Sequence, residues 1–168
     1  MTGAEQVATA LAAHGLRRVF SHAGGTISYL LDAIQRAGIA VIVARQETQA
    51  VDMARGAYRA SGKSQVCLVT SGPGATNAVT GIASAYYDAD AVVLLCGQVA
   101  TTQMRGERSV RQWGFQECPT VAIMRPIAKA AFGLCSLAIQ LQIENALRYA
   151  MSPRPGPVVV DVPMDIQK

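Results

Sequence analysis

QVCLVTSGPGATN, residues 65–77, decides the fold. After Gln65, residues 66–70 are apolar or β-branched and run without a polar break, as in a strand buried on both faces. Ser-Gly-Pro-Gly follows, a turn with Pro placed to open a helix, and Ala-Thr-Asn begins that helix. A buried strand that turns straight into a helix is half of a parallel β-α-β unit. Ligand sites of open α/β sheets lie at the carboxyl ends of such strands.

The same unit recurs on both sides. Residues 18–21 give a short first strand, followed by the turn His-Ala-Gly-Gly and a helix over 27–37. IAVIVA (39–44) is the second strand, with a helix over 48–61 whose inward stripe is Val51, Ala54, Ala57 and Tyr58. Gly62 stops that helix. After the third strand comes a helix over 75–86, and AVVLLCG (91–97) is the fourth strand. Upstream of all these, Thr2 and Glu5 have the spacing of a capping box, and Gly15 ends the helix they start. Beyond residue 97 the rhythm breaks. Residues 98–117 show little periodicity and carry three Arg, which reads either as a binding loop or as a plain surface excursion. A strand is expected near 124–128, a helix over 134–151 and a last buried strand over 157–162. Six strands with helical crossovers predict a three-layer α/β/α sandwich with a six-stranded, mainly parallel sheet, as a single domain over 1–168.

Composition narrows the function classes. Half of the chain is apolar, at 51%, so a packed core is expected rather than disorder. The net charge of +4 comes from scattered Arg residues without a basic stripe or interleaved aromatics, which argues against nucleic acid. A mild positive field suits an anionic ligand. No apolar run approaches the roughly 20 residues that span a bilayer, and the N-terminus reads as an amphipathic helix rather than a signal peptide, so a cytoplasmic protein is expected. Cys67, Cys96, Cys118 and Cys135 lack metal-ligand spacing, and no metal site is expected. Cys67 and Cys96 fall in strands and read as core thiols.

Several residues are placed for chemistry. Glu47 follows the second strand at the same sheet edge as the Gly-Pro-Gly turn. As an acid in the first turn of a helix it suits the helix dipole. As a partly desolvated carboxyl it could share a proton with a heterocyclic nitrogen. Gly72-Pro73-Gly74 could hold a phosphate on free N–H groups, although no Lys follows as in a P-loop, or could admit a flat ring. His14 reads as a helix-end residue, and His22 as nothing specific. Asp88 and Asp90 are expected to face solvent or cap the fourth strand. Trp113 and Phe115 either line a pocket or anchor their loop.

Taken in order, VFSHAGG, RQETQAVDMARGAYRASGK, CLVTSGPGATNAVTGIASAYYDADAVVLLCGQV, GFQE, RPIAK and RPGPVVVDVPMDIQ cover essentially the whole chain. This set resembles the N-terminal, pyrimidine-binding domain of thiamine-diphosphate-dependent enzymes, closest to the acetolactate synthase large-subunit group. The resemblance implies the thiamine-diphosphate-binding fold and a 2-oxo acid substrate. It places Glu47 at the family's glutamate, whose carboxyl bonds N1′ of the cofactor's aminopyrimidine. That bond favours the imino tautomer that draws the proton from C2 of the thiazolium, after which the 2-oxo acid loses CO2. Gly24 and Gly25 match the small-residue turn near the thiazolium, Pro73 and Asn77 the pyrimidine end, and Phe115 and Gln116 the pair that faces substrate. Glu47 and Gln116 are thereby the implied catalytic residues.

The chain also departs from the family. Ala23 replaces the usual Pro, Gln46 and Thr48 replace His and Gln around the Glu, and Ala91 replaces the Pro of Asp-Ser-x-Pro. These changes leave open a non-oxidative 2-oxo acid decarboxylase subunit, another carboligase, or a non-catalytic binding or regulatory module that keeps the domain interface. The family's G-D-G…N motif for Mg2+ and diphosphate has no match here, and the middle domain that carries FAD in many synthases has none. The resemblance therefore implies a diphosphate-binding partner domain or subunit and a homodimer or higher oligomer. It leaves the chain as either a cut-out domain or a natural split subunit, inactive alone.

Overall fold

The computed structural model describes all 168 residues. Thr2 opens the first helix, α1 (Gly3–Ala13). Its hydroxyl accepts the Glu5 N–H at 3.1 Å, and the Glu5 carboxylate accepts the Thr2 N–H at 2.8 Å, completing the expected capping box. Six strands follow: β1 (Arg18–Ser21), β2 (Ala40–Val43), β3 (Gln65–Val69), β4 (Val92–Gln98), β5 (Ala130–Gly133) and β6 (Val158–Pro163). They form one sheet in the order β2-β1-β3-β4-β6-β5, and every neighbouring pair is parallel.

Helices cover both faces, which is why β3, β4 and β6 are buried along their whole length. Side chains alternate between two cores with the period of a strand. Val93 and Leu95 meet Leu11, Leu30, Ile143 and Leu147 from α1, α2 (Ser28–Arg36) and α7 (Ile139–Met151). Val92 and Leu94 meet Ala54, Ile82 and Met124 from α3 (Glu47–Ser61), α5 (Val79–Tyr87) and α6 (Thr120–Met124). Two short helices complete the chain, α4 (Pro73–Asn77) and α8 (Met164–Gln167). The expected three-layer sandwich is the fold observed. In the stripe of α3, Val51 and Ala54 are fully buried, Ala57 and Tyr58 half-buried, and Gly62 in the left-handed conformation (φ 67°) ends the helix.

Three elements differ from expectation. Residues 124–128 are no strand: they are the end of α6 and a 3₁₀ turn, Arg125–Ile127, started by Pro126. The strand comes next, at Ala130–Gly133, held by pairing with β6 on one side only. The helix expected over 134–151 begins at Ile139, because Ala138 is left-handed (φ 50°) and breaks the preceding turn. The helix expected over 75–86 is two helices that meet at Ala78.

Candidate active site

The helix after β1 crosses to one face of the sheet and the segment after β3 to the other, so their loops part at the carboxyl edge. Such a divergence forms the crevice where α/β folds hold ligands. In it, Gly24 approaches so closely that a Cβ there would sit 2.4 Å from Thr70 Cβ. A Cβ on Gly74 would sit 2.7 Å from Thr70 Cγ2. Thr70 thus fills the gap between two glycines that no other residue could replace without displacing it. Its hydroxyl pairs with that of Thr26 at 2.8 Å, and Thr26 Oγ1 also accepts the Ser71 N–H at 3.0 Å. Gly25, by contrast, has open space where its Cβ would be.

Glu47 is the first residue of α3 and is only 7% exposed. Asn77, the last residue of α4, donates from Nδ2 to Oε2 at 3.0 Å. Thr48 donates its hydroxyl to the Asn77 carbonyl, so the start of α3 is fastened to the end of α4. Oε1 accepts no hydrogen bond. A Cβ on Gly74 would stand 3.5 Å from it. The structure therefore brings Glu47, Asn77, Gly24 and Gly74 to one place.

Gly72 adopts φ 61° and ψ −120°, a glycine conformation, and Pro73 follows at the first position of α4. A phosphate would find few donors at this turn. Pro73 has no N–H, Gly74 N–H goes to the Ser71 carbonyl and Thr76 N–H to that of Gly72. Both glycines are instead required by close neighbours, Gly72 by Gln116 and Gly74 by Thr70.

The stretch 98–117 is an ordered loop folded around Glu117. The carboxylate of Glu117 accepts the N–H groups of Arg105 at 2.6 Å and Trp113 at 2.8 Å. Partial burial pushes this carboxyl up, but the backbone N–H bonds outweigh it and hold the group below its ordinary range. Arg108 stacks on Trp113, 4.9 Å from the ring centre. The loop lies over the Gly72 turn: a Cβ there would be 2.8 Å from Gln116 Cβ. Gln116 is thereby held next to the crevice with a positive φ of 58°. Phe115 is 81% exposed. Trp113 is 57% exposed and serves the loop through Arg108 rather than a closed pocket.

Under this loop lies a cavity of about 460 Å³ lined by Gln98, Arg105, Arg111, Cys118, Thr120 and Asp161 among others. Gln98 Nε2 bridges the Cys118 carbonyl and Asp161 Oδ2, while Asp161 Oδ1 has no partner. Burial drives the Asp161 carboxyl up to about 6 despite the bond from Gln98. Burial also raises the Cys67 and Cys96 thiols, so both are inert core groups as expected. A second cavity of about 640 Å³, beside Phe132 and Tyr149 on β5 and α7, contains none of the candidate residues.

Two further residues depart from their expected roles. His22, the residue after β1, belongs to the site: its Nδ1 lies 3.0 Å from the Ala44 carbonyl and its Nε2 3.9 Å from Glu47 Oε1. The signal for it was position, directly before the Gly24-Gly25 turn at the edge that carries Glu47. Asp90 neither faces solvent nor caps β4. Its side chain is 3% exposed and paired with Arg55 and Arg59 of α3. His14 does end α1, and its Nε2 bonds Ser64 Oγ at 2.9 Å.

Comparison with known proteins places this geometry. Residues 1–123 match the family described as thiamine pyrophosphate enzyme, N-terminal TPP binding domain. The chain is 45% identical to the acetolactate synthase isozyme 3 large subunit of Escherichia coli (strain K12), over 99% of this chain and 28% of that protein. It is 42% identical to the acetolactate synthase large subunit of Buchnera aphidicola subsp. Acyrthosiphon pisum, over 100% of this chain and 29% of that protein. Against the probable acetolactate synthase large subunit of Methanocaldococcus jannaschii it is 39% identical, over 99% of this chain and 27% of that protein. The chain thus spans less than a third of the length of these relatives. It belongs to the thiamine pyrophosphate enzyme family, as an N-terminal TPP-binding domain closely related to the acetolactate synthase large subunits.

Proposed function

We propose that this chain is the pyrimidine-binding part of an acetolactate synthase-like enzyme that decarboxylates a small 2-oxo acid and joins the remainder to an acceptor. The observation that carries the proposal is Glu47: a carboxyl buried at the sheet edge, with Oε2 held by Asn77 and Oε1 without a hydrogen-bond partner beside Gly74. A nitrogen heterocycle fits that donor set, since Oε1 can share a proton with a ring nitrogen. Bound thiamine diphosphate supplies the electron sink for decarboxylation.

The chain's own residues do the rest. Glu47 presents Oε1 to a ring nitrogen, and Asn77 and Thr48 fix its orientation. Gly24, Gly25 and Pro73 shape the walls of the crevice, while Phe115 and Gln116, carried over it by their loop, face the substrate. Diphosphate and Mg2+ belong to a partner domain or subunit, FAD to a middle domain where one exists, and the cofactor to an interface in a homodimer or larger assembly. No helix here is long and apolar enough to cross a membrane.

The test is Glu47→Gln in the complete enzyme. The near-isosteric amide keeps the Asn77 contact but carries no exchangeable acid. Hydrogen–deuterium exchange at C2 of bound thiamine diphosphate, and turnover with it, should fall by about 10²–10⁴-fold, the usual worth of a positioned acid–base group. Cofactor affinity should fall less. An unchanged exchange rate would leave Glu47 a helix-start acid and remove the basis of the proposal.

A further inference from the structure

Both hydrogens of the Gln167 side-chain amide are spent on backbone carbonyls. Nε2 donates to the Thr26 oxygen at 2.8 Å and to the Val162 oxygen at 2.9 Å, while Oε1 is buried without a partner. Two acceptors on one side fix the orientation of the amide, because the flipped form would set oxygen against oxygen. The residue closes α8 and is 1% exposed. Its place is rigid, since a Cβ on Gly3 of α1 would collide with the carbonyl of the neighbouring Ile166. Thr26 lies at the other end of the amide bond, 141 positions away in sequence, and directly follows the Gly24-Gly25 turn. Its hydroxyl pairs with Thr70 Oγ1 at 2.8 Å and accepts the Ser71 N–H at 3.0 Å, just before the Gly72-Pro73-Gly74 turn. β4 backs it closely: a Cβ on Gly97 would come within 2.8 Å of the Thr26 carbonyl oxygen. The two glycine-bearing walls of the crevice therefore meet at Thr26, and Gln167 holds Thr26 from behind.

We infer that Gln167 is a positioning residue for the crevice, acting through Thr26. Its amide holds the Thr26 carbonyl, and the Thr26 hydroxyl holds the segment that enters the turn after β3. The loops after β1 and β3 thereby keep one separation. No covalent bond is made or broken in this role. Its meaning for a cofactor ring rests on the proposed function. The alternative is that Gln167 only fastens α8 back onto β6 through Val162, with Thr26 a passive neighbour.

Thr26→Val and Thr26→Ser separate these roles. Both keep the backbone carbonyl that Gln167 binds, but Val removes the hydroxyl and Ser retains it. In 15N spectra of the 168-residue chain, hydrogen exchange of the Gln167 side-chain amide reports the far end of the relay. Rates are taken relative to the backbone amide of Leu94, paired on both sides in mid-sheet, which opens only with the whole fold. Coupling between two sites is reciprocal. The Gln167 exchange should therefore quicken about two- to tenfold in Thr26→Val, the effect of one net hydrogen bond, and stay within about twofold of wild type in Thr26→Ser. Gln167→Met removes the donors at the opposite end. Exchange of the Ser71 backbone amide should then quicken by a similar factor, and the double variant should exchange no faster there than Thr26→Val alone. Should Gln167→Met not fold, the two Thr26 variants decide the matter by themselves. In the complete enzyme, Thr26→Val should raise the Kd for thiamine diphosphate while kcat at saturating cofactor holds, and Thr26→Ser should restore the Kd. An unchanged Gln167 exchange in Thr26→Val overturns the inference, as do equal quickening in Thr26→Ser, multiplying effects in the double variant, or an unchanged Kd. The exchange measurements involve neither cofactor nor turnover, so a failure of Glu47→Gln to slow the enzyme would sink the proposed function and leave them standing.

Discussion

Asp90→Asn is expected to unhinge the helix that carries Glu47 without touching the crevice. The Asp90 side chain is 3% exposed and takes three charge-assisted hydrogen bonds: Arg55 Nε at 2.8 Å, Arg59 Nε at 2.9 Å and Arg59 Nη2 at 2.9 Å. Both Arg residues lie on α3, so this carboxylate fastens the helix to the segment entering β4. Asn keeps one acceptor and turns an NH2 toward a guanidinium that can only donate, so one or two of the three bonds fail. Removing one partner of a buried ion pair costs about 3–5 kcal/mol. Here Arg55 retains Asp52 and Asp88, and Arg59 is half exposed, so the lower figure of about 2–3 kcal/mol applies. At about 2–4 °C per kcal/mol for a chain of this size, Tm should fall by about 4–12 °C. Urea unfolding followed by circular dichroism, with calorimetry, measures both quantities. Asp88→Asn is the control: its side chain is 52% exposed, and it should cost under about 1 kcal/mol. A loss under about 0.5 kcal/mol for Asp90→Asn, within the range of an ordinary surface substitution, or a larger loss for Asp88→Asn, would refute the reasoning.

The remaining expectations concern the loop, the buried acid and the isolated chain. Burial raises Asp161 from 3.8 to about 6, so between those values the folded state binds more protons than the unfolded one, and stability falls as pH rises through the window. Asp161→Asn should accordingly exceed wild type in Tm at pH 8, by up to about 3 kcal/mol of stability, and match it near pH 4; an equal difference at both pH values would contradict the assignment. Phe115→Ala should leave stability within about 0.5 kcal/mol, since the ring is exposed, yet impair turnover of the complete enzyme, and unimpaired kcat/KM would remove Phe115 from the substrate side. The 168-residue chain alone should show no 2-oxo acid decarboxylation above a Glu47→Ala control; turnover above that control would show that no partner domain is required.

The strands that sit in the middle of the sheet were legible because burial on both faces leaves unbroken apolar runs, as in residues 65–69 and 92–96. β5 was misplaced because Ala-Ala-Phe-Gly is short, half-buried and at the edge, so only its pairing with β6 makes it a strand. Ala78 and Ala138 interrupt helices at a residue type that ordinarily favours them, which local propensity cannot announce. The outline of the site was readable from Glu47 and the glycine turns, which stand at strand ends. Its contacts were not. Asn77 meets Glu47 across 30 positions, Asp90 meets Arg55 across 35, and His22 meets Ala44, beyond β2, across 22. The resemblance had placed Asn77 near the pyrimidine end, but the hydrogen bond that joins it to Glu47 is a product of the packing of α3 on α4.

β6 is the last strand in the chain yet lies inside the sheet, between β4 and β5. During synthesis the ribosome therefore delivers five strands before the one that joins them. Until Val158 and its successors emerge, β5 has no neighbour at all and one edge of β4 is unpaired. Parallel pairing over such sequence distances forms slowly and leaves unpaired edges exposed. Holdase chaperones have their opportunity in that interval. A stop just before Val158 would release these five strands with no way to close the sheet.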